Sequence, residues 1–285
     1  MRHNKFDFSR MDFVIFQTTS PVSVSLSDLL QHSDQKKSTF GMNLNHRKNG
    51  IEMKDGVPVS LTFGDVYFSK EGGWEESRYV FWEGNRIPKA LSSGSPNVCT
   101  VGELGFGTGL NFFVSLEHWL LETNPPSFQF YSLEGFPLPT ETLQSLNHSF
   151  PGKALWTESL LQSYDKQLQS WKEDPKENVW KCQFLHNNGK TSFDLNLLFG
   201  DVKECLVQFP IVDFWYLDGF SPSKNPSMWS EEILSLIGSH SQKGTRLATF
   251  TSAGFIRRFL ESLGFTIEKQ KGFGKKREMI TGVLQ

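Results

Sequence analysis

Cysteine is scarce in this chain. Its 285 residues include three, Cys99, Cys182 and Cys205, far apart and odd in number. That excludes a disulfide scaffold, and with no CxxC and no Cys/His cluster at ligand spacing no metal site is expected. Free, mostly buried thiols in a reducing cytoplasm are the natural expectation. Long apolar runs are also missing. No stretch approaches the ~20 apolar residues that span a bilayer, so no membrane contact is expected. The first residues, MRHNKFDFSRMDF, mix Asp7 and Asp12 with basic side chains and contain no apolar h-region, which argues against a secretory leader. An excess of basic charge is absent as well. The formal net charge is −2, whereas nucleic-acid binders are usually basic.

What is present is apolar mass: 38% hydrophobic residues, 14% aromatic, with 26 Phe. This composition excludes a disordered chain and supplies a core for one large domain, or a domain with an extension. No internal repeat is visible. Residues 1–46 read as an N-terminal extension of unknown role, weakly periodic, with a short helix near Ser25–Gln31. Residues 47–96 open with alternation around the turn dipeptides Asn49-Gly50 and Asp55-Gly56, the mark of a small N-terminal β region packing on the larger C-terminal domain.

From Asn97 to the end, residues 97–285, strands and helices alternate. NVCTVGEL reads as a buried strand, LNFFVSLEHWLL as a helix, and SFQFYSLEG as a second strand followed by a helix over 139–147. A helix is expected within 153–174. A hairpin turned at Asn188-Gly189 then leads to Asp201. IVDFWYLDGF has the apolar run of a central strand covered on both faces. TRLATFTS, AGFIRRFLESLG, FTIEKQ and REMITGVL complete a strand, a helix closed by Gly264, and two strands joined by a short link. The expected fold class is α/β: a Rossmann-like, mostly parallel sheet with helices on both faces and an antiparallel last strand.

Chemistry-bearing residues fall at the strand ends. Glu103-Leu104-Gly105-Phe106-Gly107-Thr108-Gly109 lies between a strand and a helix. The spacing is GxGxG, which disfavours a dinucleotide dehydrogenase, for which GxGxxG is expected. An acid two residues before the first glycine would repel a pyrophosphate but suits a ligand with an ammonium group, such as S-adenosylmethionine. Glu134 ends the second strand, where a carboxylate can accept ribose hydroxyls. Asp201 ends the third, where it can accept an adenine amino group, although the N-cap of a helix from Val202 explains it equally well. Asp218 ends the fourth strand in LDGFSPSKNPSMW, beside the reacting centre. Phe220 and Trp229 are candidates to stack on a base, with core packing the competing reading for Trp229. From Arg257 to Arg277 the charge is +5, ending in Lys275, Lys276 and Arg277 after the turn signal Gly272-Phe273-Gly274. This stretch is either a solvated surface or a phosphate-binding one.

Seven runs carry a resemblance. DVYFSKEGGWEESRYVFWEGN (65–85), GELGFGTGLNFF (102–113), LEGFPL (133–138), LFGD (198–201), WYLDGFSPSKNPSMW (215–229), TFTSAGFIRRFLESLGF (249–265) and KGFGKKREMITGV (271–283) resemble the methyltransferase module of the tRNA-modification family MnmC, and equally its stand-alone form MnmD. The likeness covers roughly 47–284. It implies a class I S-adenosylmethionine-dependent methyltransferase fold. It also implies methylation of the exocyclic amine of 5-aminomethyl-2-thiouridine at the tRNA wobble position.

On this reading Glu103, Gly105, Gly107, Gly109, Glu134 and Asp201 hold the cofactor. Asp218 holds the amine as base or positioning group. Phe220, Lys275, Lys276 and Arg277 face the tRNA anticodon loop. Gly135 stands where the family often has Lys, and Leu104 replaces a smaller residue. No FAD is expected, so the upstream deprotection chemistry is expected either to come from a separate enzyme that supplies the aminomethyl uridine or to be unnecessary. A small-molecule amine N-methyltransferase or an aminopropyltransferase shares much of this pattern. A non-catalytic nucleotide- or RNA-binding module is disfavoured by the full set of strand-end acids.

Overall fold

The computed structural model of the chain describes residues 13–17, 20–24, 50–70, 72–92, 97–150 and 155–285, the first two stretches as backbone only. β1 (Phe13–Gln17) and β2 (Ser20–Val24) form an antiparallel pair at one edge of the main sheet. Both fall in the region read as an extension. The helix expected near Ser25–Gln31 lies outside the described residues.

β3 (Ile51–Lys54), β4 (Val57–Ser60) and β5 (Asp65–Val66) form a separate three-stranded antiparallel sheet. Asp55 and Gly56 both have positive φ, 52° and 80°, as the tight turn between β3 and β4 requires. A helical segment comes next: α1 (Gly73–Ser77), a π-helical stretch over Arg78–Glu83, and α2 (Ile87–Ser92).

The alternating part then runs as its periodicity indicates. β6 (Val98–Leu104), α3 (Leu110–Leu121), β7 (Ser127–Glu134), α4 (Thr140–Ser145), α5 (Glu158–Glu173), β8 (Val179–Leu185), β9 (Ser192–Phe199), α6 (Val202–Leu206), β10 (Val212–Tyr216), α7 (Glu231–Ser239), β11 (Ser241–Thr249), α8 (Gly254–Ser262), β12 (Phe265–Lys271) and β13 (Glu278–Leu284) succeed one another. Thr157 caps α5 and Ser230 caps α7, each side chain accepting from a backbone N–H one turn on.

The strands order as β12-β13-β11-β10-β6-β7-β9-β8-β1-β2. β11, β10, β6, β7 and β9 are parallel, whereas β13 is antiparallel to both β11 and β12. Alternate residues of the central strands feed two cores. Phe214 and Tyr216 join Phe112, Phe130 and Leu160 on one face, while Trp215 and Leu217 join Cys205, Ile233 and Leu260 on the other. The sheet is thus covered on both sides, as the apolar run around β10 indicated. All three cysteines are free and buried, and burial pushes the Cys99 and Cys205 thiols up to about 12.

Candidate active site

The strand order reverses between β10 and β6, the place where open α/β sheets form a crevice beyond their carboxyl ends. Four neighbouring strands, β10, β6, β7 and β9, deliver acids there: Asp218, Glu103, Glu134 and Asp201. A cavity of about 820 Å³ opens over them, within the roughly 300–1,000 Å³ of small-molecule sites. Gly105, Gly107, Glu134, Asp201, Asp218, Phe220 and Lys276 line it.

The glycine loop is held open by backbone geometry. Gly105, Gly107 and Gly109 have φ of 80°, 54° and 75°. A Cβ on Gly107 would sit 3.1 Å from the Tyr67 ring. Gly109 faces the Phe106 and Trp156 rings instead, so it shapes the loop from behind. The Glu134 carboxylate ties that loop down. It accepts from the Gly107 N–H (2.8 Å) and from the Phe136 N–H (2.8 Å). Burial raises its pKa, and these backbone donors oppose the rise.

Glu103 lies one layer deeper. It is 1% exposed and is not part of the cavity wall. Its two oxygens accept from Ser132 Oγ (2.6 Å) and Asn111 Nδ2 (2.9 Å), and burial pushes its pKa well up. The same Asn111 amide donates to Asp218 Oδ2 at 2.6 Å, while its oxygen accepts from the Ser77 hydroxyl. All of its hydrogen-bonding groups are engaged, so Asn111 fixes two acids against each other. Burial pushes the Asp218 carboxyl up to about 6. Hydrogen bonds from Gly219 and Asn111 and the charge of Lys276 act against that rise, and Glu76 adds to it. A carboxylate that titrates near neutrality is suited to proton transfer.

Asp201 both lines the cavity and caps α6, accepting from the Lys203 N–H at 2.9 Å. The cap therefore leaves the carboxylate on the cavity wall. Phe220 faces the cavity and stacks on Phe63 (4.7 Å between centroids), with Tyr67 edge-on at 5.1 Å. Trp229 is core: it is 1% exposed, and its indole N–H donates to the Phe220 carbonyl at 2.9 Å.

The small sheet closes one side of the cavity and is clasped to the loop after β10. Asp65 accepts from the Ser221 N–H at 3.1 Å, and Lys224 reaches the Gly64 carbonyl. All three of the basic triplet are exposed, but Lys276, at 46%, also lines the cavity and lies 2.6 Å from Glu76, whereas Lys275 and Arg277 have no ion pair among the described residues.

Asn111, Tyr67, Phe63 and Glu76 belong to the site and escaped sequence reasoning. An amide within the otherwise apolar LNFFV was the available signal for Asn111. An acid-lined, glycine-floored and partly aromatic cavity fits a nucleoside with a cationic tail. A Cβ at Gly107 or Gly109 would crowd an aromatic ring, and among the described residues the carboxylates lining the cavity outnumber its lysines.

Known proteins resemble this chain in sequence and in fold. Residues 155–285 match the model of a family described as S-adenosyl-L-methionine-dependent methyltransferase. The chain is 41% identical over 235 residues to the tRNA 5-methylaminomethyl-2-thiouridine biosynthesis bifunctional protein MnmC of Hahella chejuensis, covering 81% of this chain and 36% of that protein. It is 39% identical over 236 residues to the MnmC of Aeromonas hydrophila, covering 80% and 34%. It therefore spans about a third of the length of these relatives. The crystal structure of MNMC2 from Aquifex aeolicus superposes with a TM-score of 0.60 at 24% identity, covering 85% of this chain and 72% of that one. The chain is thus a homologue of the MnmC proteins over the stretch it shares with them, with the fold of the S-adenosyl-L-methionine-dependent methyltransferases.

Proposed function

We propose that the chain transfers a methyl group to the aminomethyl nitrogen of 5-aminomethyl-2-thiouridine at the wobble position of tRNA, giving 5-methylaminomethyl-2-thiouridine. The observation that carries this reading is the placement of Asp218. It is a partly buried carboxylate at the switch point of the sheet, held by Asn111 in the same cavity as the glycine loop. The names of the two MnmC relatives supply the substrate class.

Bound S-adenosyl-L-methionine supplies an electrophilic methyl carbon on a sulfonium. Glu134 and Asp201 are the wall carboxylates that accept hydrogen bonds from a nucleoside, and Glu103 anchors Asn111 behind the wall. A primary amine is largely protonated near neutrality, by analogy with the lysine value of ~10.4. Asp218 takes the ammonium proton, and the nitrogen lone pair then forms the new N–C bond as the C–S pair returns to sulfur. Holding the nitrogen in line is the larger contribution, since such positioning is worth ~7–11 kcal/mol.

Phe220 with Phe63 offers a flat aromatic face to the base. Lys275 and Arg277, exposed beside the cavity, are the phosphate-contacting residues for the anticodon loop. A tRNA substrate sets the reaction in the cytoplasm. Among the described residues no helix is long and apolar enough to cross a membrane.

Incubation with methyl-labelled S-adenosyl-L-methionine and tRNA lacking only the last methyl group tests the proposal. Label in the wobble nucleoside is the expected result. Label transferred to polyamines or small amines but not to tRNA would replace it with the small-molecule reading.

A further inference from the structure

The turn between β12 and β13 is built with more care than a solvated charge run needs. Gly272 N–H donates to the Arg277 carbonyl (3.2 Å) and Lys276 N–H to the Phe273 carbonyl (3.0 Å). A Cβ on Gly272 would lie 2.5 Å from the Lys276 carbonyl oxygen, so only glycine allows this close approach. Phe273 packs against Gly72 and the Tyr79 ring, and the Tyr79 hydroxyl donates to the Lys271 carbonyl at 2.9 Å. These contacts lock the turn onto α1 and the π-helical stretch. They direct Lys276 into the cavity, where its Nζ lies 2.6 Å from Glu76 and 4.7 Å from the centre of the Phe250 ring. Glu76, Phe250, Lys276 and Asp218 all line the same cavity.

We propose that Lys276 and Glu76 are positioning residues for Asp218: Lys276 favours the ionised carboxylate, Glu76 holds that effect in check, and together they set the pH at which the group accepts a proton. This rests on the amine-methylating reading for its purpose, but not for its physics. The groups that face Asp218 are few. Asn111 from α3 is neutral and donates a hydrogen bond, the Gly219 N–H does the same, and Glu103 on β6 is a buried acid behind Asn111. Asp65, Glu134 and Asp201 also line the cavity, and Glu76 on α1 and Lys276 on the turn are the charges that act on Asp218, in opposite directions. Lys276 is half exposed, so solvent screens it and leaves a tuning effect, not a dominant one.

The test needs neither cofactor nor tRNA. Carboxyl-labelled protein is titrated by carbon NMR, the Asp218 signal being identified by its loss in Asp218→Asn. Lys276→Met is expected to move the Asp218 midpoint up, and Glu76→Gln to move it down. Each shift is on the order of a few tenths of a pH unit, given the screening. Lys276→Arg keeps a cation and returns the midpoint toward the wild-type position. Midpoints that coincide in wild type, Lys276→Met and Glu76→Gln overturn the proposal. In parallel, the acid limb of kcat/KM against pH for methyl transfer to tRNA should move in the same directions. Carbon shifts as expected in a protein that methylates no tRNA would uphold the pairing while removing the substrate reading.

Discussion

Replacing Asp218 by Asn should kill turnover and stabilise the fold. The Asp218 carboxyl has an ordinary value of 3.8, raised to about 6 by burial in the folded protein. An acid whose folded value is raised is held protonated by the fold. Below about pH 4 both states carry the proton and the cost is small. Between about 4 and 6 the unfolded chain ionises first, so stability falls as pH rises, and above about 6 the loss is complete. A difference of about two units at ~1.4 kcal/mol each gives about 3 kcal/mol of destabilisation near neutrality.

Asp218→Asn removes that cost. Its amide oxygen can still accept from Asn111, now 2.6 Å from Asp218, but Gly219 N–H loses a charged acceptor, which returns about 1 kcal/mol. The variant should be about 2 kcal/mol more stable than wild type near pH 7.5, and equal or slightly worse near pH 4. Urea unfolding at those two values measures this directly, with an unchanged m-value showing that the denatured state is comparable. Calorimetry should find cofactor affinity roughly retained while turnover is lost. A variant less stable than wild type at both pH values, or a gap that ignores pH, would refute the assignment of Asp218 as a strained acid.

The site makes three further outcomes testable. Gly107→Val places a β-branched residue at φ 54° with its Cβ 3.1 Å from Tyr67, so S-adenosyl-L-methionine binding should vanish in a protein that still folds; undiminished affinity by calorimetry would put the ligand elsewhere. Asn111→Ala strips donors from both Glu103 and Asp218 and should cost roughly 2–4 kcal/mol, more at high pH than at low, because the lost donors favour the ionised acids. Thermal unfolding at two pH values reads this, and wild-type stability would mean the amide does not hold the acids. Lys275→Ala with Arg277→Ala should weaken tRNA binding and flatten its salt dependence by roughly one to two contacts, leaving cofactor affinity alone. An unchanged salt slope would move the docking surface away from this turn.

What the sequence revealed depended on the range of the interaction. Strands β6, β7 and β10 announced themselves because every second residue must face one of two cores, and the strand-end acids could be placed from where those strands stop. Asp55-Gly56 and Asn188-Gly189 were legible because positive φ is a local requirement of the turns they make. β1 and β2 were not: β1 joins the main sheet through β8, residues far apart in the chain, and β2 is attached only through β1. Lys276 looked like its neighbours Lys275 and Arg277. Only contacts with Glu76 and Phe250, from distant parts of the chain, decide that it turns inward. Asn111 was hidden by its setting in an apolar helix, where nothing nearby shows that its partners are two acids brought by β6 and by the loop after β10.

The clasp between the small sheet and the main one has a thermodynamic consequence. A ligand in the cavity touches Tyr67, from the segment after β5, and also the strand ends of the large sheet, two units joined by Asp65, Lys224 and the Phe63–Phe220 stack. The ligand therefore meets its full set of contacts only while the units are docked. Its apparent affinity is the intrinsic affinity multiplied by the docked fraction. Linkage makes the relation mutual: whatever loosens the clasp from outside weakens binding without removing a contact, and a bound ligand slows backbone hydrogen exchange in β3 and β4, which it need not touch.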